Sequence, residues 1–129
     1  MIEAKDQLDK DTENAEKACL CLEGGELTEK DFMTLIRNNT ESYRGEVISA
    51  LADYEIKLQE GPITTWLIET SFASNDPHLI FLCAYAIKIC CPQEAVDRYE
   101  KRVMKEADEI ERRQSRVKTI QQAMKRADF

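Results

Sequence analysis

From Gln93 to Phe129 the chain contains neither Gly nor Pro, and through this stretch Val96, Val103, Ile110, Val117 and Met124 recur at every seventh position. An unbroken run with apolar residues at that interval keeps one greasy row on one face of a helix, a pattern that neither a strand nor a loop sustains. The spacing predicts a long helix over about 93–127. At 1.5 Å per residue it spans roughly 50 Å, more than a small domain is wide, so its end, residues 112–129, is expected to form an arm or to meet another chain.

The rest of the chain is divided by Gly, Pro and capping residues into shorter helical segments. A first helix is expected to start near Asp11 or Thr12, after a ten-residue, charge-rich stretch prone to fray, and to stop at Gly24-Gly25. Thr28 to Asp31 reads as a capping box opening a short helix with Phe32, Leu35 and Ile36 on its apolar face. A third helix is expected from about Ser42 to Glu60, closed by Gly61-Pro62, and a fourth from Pro62 to Ala73. Asp76-Pro77 is a start signal for a fifth helix, 77–91, in which only His78 and Lys88 are obvious solvent contacts. An apolar helix of this kind belongs at the centre, with the others around it. No segment alternates as a strand would. The fold class is therefore all-α: one domain of five or six helices around the central helix at about 77–91, followed by the long C-terminal helix.

Charge and cysteine content narrow the function. The net charge of −7 is uneven, at −8 for residues 1–60, −4 for 61–111 and +5 for 112–129. An acidic body repels phosphate, which argues against nucleic acid except at the basic tip, where Arg112 to Arg126 supports an alternative reading as a nucleic-acid-associated regulator. Five cysteines, an odd number, and the lack of an apolar leader suggest a reducing, cytoplasmic setting. The most apolar run, Leu79 to Cys91, is too short for a bilayer span, so no membrane partner is expected.

Chemical templates are missing. There is no glycine-rich phosphate loop, no nucleophile elbow and no paired Glu-x-x-His motif, and with a single histidine, His78, a His-based metal site is excluded. Cys19 and Cys21 point about 200° apart on a helix, and Cys83 and Cys90 lie about 10 Å apart along the axis, so neither pair can share an ion. Trp66 and Tyr85 sit within helical apolar stripes and read as core. No catalytic residue, metal or cofactor is assigned, and an enzyme or metal-binding protein is the least favoured reading.

What is left is the terminal helix. Glu94–Arg98, Asp97–Lys101, Asp108–Arg112 and Glu109–Arg113 each place an acid four residues before a base; at about 0.2–0.5 kcal/mol each, such pairs favour a helix but cannot hold an isolated one, so its apolar row has to be buried. Three positions on, the second row of a coiled-coil seam is mixed: Tyr99, Glu106, Arg113, Ile120 and Ala127. Two readings stay open: packing of the whole row on the protein's own core, or packing of Val96 to Ile110 there with Val117, Ile120 and Met124 left for a partner. The candidate interaction residues are Val103, Ile110, Arg113, Arg116, Val117, Ile120 and Met124. The function expected is that of a non-enzymatic adaptor, chaperone-like or inhibitory protein, or a self-associating one, that works through helix-mediated contacts.

Overall fold

A computed structural model describes residues 2–127, and all regular structure among them is helical: α1 (Ile2–Glu23), α2 (Glu29–Arg37), α3 (Glu41–Asp53), α4 (Pro62–Ala73), α5 (Pro77–Cys90) and α6 (Gln93–Ala127). The chain divides into two compact units, the first ending at Val96 and the second beginning at Asp97.

In the first unit α3 packs against α1 and α5, α4 packs against α5, and α2 lies on α4 and α1. Of these helices α3 is the most enclosed, with Val47, Ile48 and Leu51 fully buried and Ala50 and Ala52 nearly so. Small residues on α1, Ala15, Ala18 and Cys19, meet it at helical spacing, which allows the two helices to approach closely. On α5 the buried side is Cys83, Ala86, Ile87 and Cys90, yet the expected complete cover is not found: Phe81 is 66% exposed and Tyr85 49%, their rings stacked at 6.3 Å. With α3 and α4 against it, one side of α5 is left to solvent.

Two helix boundaries differ from expectation for identifiable reasons. The first helix begins at Ile2, not near Asp11, because nothing before Asp11 breaks a helix and Asp11 is itself held, buried, by the Gln7 amide at 3.0 Å. The third ends at Asp53, not Glu60. Its exit closes through a Schellman motif, in which the Ile56 N–H donates to the Leu51 carbonyl (3.0 Å) and the Glu55 N–H to that of Ala52 (3.1 Å). Glu55 takes the left-handed position, φ 50°, normally a glycine's. The same motif closes α1, with Gly25 at φ 79° and the Glu26 N–H on the Cys21 carbonyl.

Beyond α3 the chain is extended, with Ile56 and Leu58 buried and the Leu58 N–H donating to the Cys90 carbonyl at 2.8 Å. Lys57 Nζ donates to the Ile89 carbonyl at 3.0 Å, so the two bonds cover the last two carbonyls of α5. Thr28, Thr40 and Asp76 cap α2, α3 and α5 with their side-chain oxygens. Only Cys91 and Pro92 separate α5 from α6, the tight corner the sequence implies. Among the described residues no helix is long and apolar enough to cross a membrane.

Candidate functional site

The second unit is the helical stretch from Asp97 onward, and the candidate residues lie along it. Val103 is 42% exposed, Ile110 54%, Val117 52%, Ile120 51% and Met124 65%, and Arg113 and Arg116 are exposed as well. One of the two readings expects the whole row to be buried and the other expects Val96 to Ile110 to be buried; in the structure Val96 is buried, whereas the row from Val103 onward is exposed. Asp128 and Phe129, the end of the expected arm, lie outside the described residues.

The geometry of the face follows from 100° of rotation per residue. Val103, Ile110, Val117 and Met124 drift by only about 20° per heptad, and Glu106, Arg113 and Ile120 run alongside them, about 60–100° round from Val103. Together they form one stripe over roughly 30 Å. Glu109 and Arg116 border that stripe on one side; Ala107, Gln114 and Gln121 border it on the other. Arg113 thus belongs to the stripe and Arg116 to its edge. Met104, 67% exposed, stands about 100° from Val103 and away from the stripe, which is why a seven-residue count does not find it. Arg102 Nε lies 3.7 Å from Glu106 Oε1, within the same helix.

Phe81 and Tyr85 are exposed aromatic residues of α5 that the sequence pattern does not mark as such. A helix that is apolar almost all round has no polar side to mark which face stays open.

Elsewhere the first unit has few reactive groups. Cys19, Cys83, Cys90 and Cys91 are free and buried. Burial, the largest cause in each case, pushes the thiols of Cys19 and Cys90 up to about 12 and that of Cys83 up to about 11, so they stay protonated at neutral pH and are poor nucleophiles. Cys19 Sγ donates to the Val47 carbonyl (3.8 Å) and Cys90 Sγ to that of Leu51 (3.2 Å), which ties both thiols to α3. His78 is exposed at the start of α5. Trp66, half-buried, lines an open groove of about 390 Å³ with Glu41, Arg44, Ile48 and Leu79. Among the described residues no three His, Cys, Asp or Glu side chains come together as a metal site.

No family model matches the chain, and neither does any curated protein or solved structure. The exposed α6 face is the candidate site.

Proposed function

We propose that this protein is a non-enzymatic interaction module whose α6 lays its apolar stripe against a helix of another protein chain. One observation carries the reading: Val103, Ile110, Val117, Ile120 and Met124 share one face and each exposes two-fifths or more of its surface. Five such residues in one band exceed the scattered exposure of single apolar side chains that is ordinary on a protein surface. An isolated helix is marginal in water, and each methylene moved out of water is worth about 0.8 kcal/mol, so cover for this stripe is strongly favourable. Helix-on-helix contact suits a seven-residue row, because knobs at that interval stay in register with a second helix.

The test uses the full chain in cell extract, with a photoreactive side chain placed either at Ile110, in the stripe, or at Ser115, on the opposite side of α6. Protein adducts from Ile110 and not from Ser115 are expected. Equal yields from both positions, or adducts to nucleic acid alone, overturn the reading.

A further inference from the structure

Resting on that reading of α6 as a pairing helix, we infer that the helix it takes is α6 of a second copy of this chain, running antiparallel and centred between Glu111 and Arg112. Charge along α6 is distributed so that two antiparallel copies complement each other. Residues 97–111 carry four bases and six acids, whereas residues 112–126 carry six bases and no acid. Antiparallel pairing about that centre lays the acidic half of each copy along the basic half of the other. Parallel pairing sets the six-base half against itself, and within the seam it sets Glu106 against Glu106 and Arg113 against Arg113.

The register follows from the residues at the seam and its edge. With the centre at that point, Val103 of one copy meets Ile120 of the other, Ile110 meets Arg113, and Val117 meets Glu106. Glu106 and the second copy's Arg113 then lie on adjacent layers, within reach of each other across the seam. At the edge, Glu109 faces the second copy's Arg116, and the two-fold symmetry repeats the contact. On the other edge Ala107 faces Gln114 and Glu100 faces Gln121, with no like-charge conflict. A shift of one heptad in one direction brings Glu109 opposite Glu109 and Arg102 opposite Arg116; a shift in the other direction brings Arg116 opposite Arg116. Of these three registers only the stated one is free of repulsion at both edges, and it alone also sets the acidic half along the basic half, which is the means by which flanking charges select orientation in paired helices. All these residues from Val103 onward are exposed in the single chain and so available to a partner.

The experiment is light-scattering mass of the purified full chain over a range of concentrations. A rise from 14.9 kDa toward twice that value is expected. Glu109→Arg turns both edge contacts repulsive and is expected to weaken the dimer about tenfold, and adding Arg116→Glu in the same chain restores it. Far-UV circular dichroism checks that α6 is retained in each variant. A register-specific second measurement does not depend on charge: with Cys21→Ser in both chains, one carrying Ala107→Cys mixed with one carrying Gln114→Cys forms a disulfide-linked dimer under mild oxidation, which neither variant forms alone. A monomer at every concentration, a dimer indifferent to Glu109→Arg, failure of the double variant to recover, or failure of the mixed pair to cross-link overturns the inference. Failure here alongside stripe-specific adducts to a different protein would leave the interaction role standing with another occupant. Failure of both would remove the role itself.

Discussion

At the level of single residues, backbone angles and thiol burial make the sharpest predictions. Glu55 holds φ 50° without the glycine that relieves this conformation, whereas Gly25 does the same job in α1 at φ 79°. Left-handed backbone costs an ordinary residue about 1–2 kcal/mol, partly offset in glycine by chain entropy. Glu55→Gly is therefore expected to raise stability by up to about 1 kcal/mol, read as a higher urea midpoint. Gly25→Ala, with open space around the new methyl group, should lower it by a similar amount. The buried thiols set the alkaline behaviour. Their folded values stand above the ordinary 9.0, at about 11 for Cys83 and about 12 for Cys19 and Cys90. Above pH 9 the unfolded chain loses these protons first, so the contribution is complete below that pH and is lost as pH rises toward 12, by up to about 1.4 kcal/mol per unit for each thiol. A pH series of urea midpoints checks this, and a thiol reagent at neutral pH should modify half-buried Cys21 well before the four buried cysteines.

The helix ends are where the elements are tied together. Thr40 caps α3, its hydroxyl oxygen accepting from the Tyr43 N–H at 3.2 Å, while its own proton reaches Asp11 of α1 at 3.5 Å. Thr28 caps α2 on an exposed surface with a single bond, from the Asp31 N–H. Loss of a cap costs about 1 kcal/mol, and taking one partner from a buried carboxylate adds to that. Thr40→Ala should therefore destabilise by about 1–2 kcal/mol and more than Thr28→Ala, by comparison of denaturant midpoints. Most elements could be read in the sequence because their signals are local: Gly24-Gly25, Thr28 to Asp31 and Asp76-Pro77 all mark real ends. The end of α3 could not, because a glutamate in a left-handed turn has no sequence signature. What holds it there is the buried Ile56 and Leu58 and the bond from Leu58 to Cys90, contacts distant in sequence.

For the molecule as a whole, the chain divides after Val96 into two compact units. Trp66, the single tryptophan, lies in the first unit. Val117→Asp with Ile120→Asp should leave unfolding monitored by Trp66 fluorescence within about 0.5 kcal/mol of the parent at concentrations where the chain is monomeric, since both residues are exposed in the single chain. Leu51→Ala, at a fully buried position, should lower stability by about 2–5 kcal/mol on the same signal.

By itself the sequence determined that this chain is helical, where five of its helices start, and that α6 carries an apolar row, because periodicity, proline and capping chemistry act over a few residues. The register of charges along α6 is legible in the same way. Only the tertiary structure decided that burial of that row stops at Val96, that Phe81 and Tyr85 face solvent, and that α3 turns out at Asp53. Each depends on which surfaces distant segments cover, and local pattern carries no record of that.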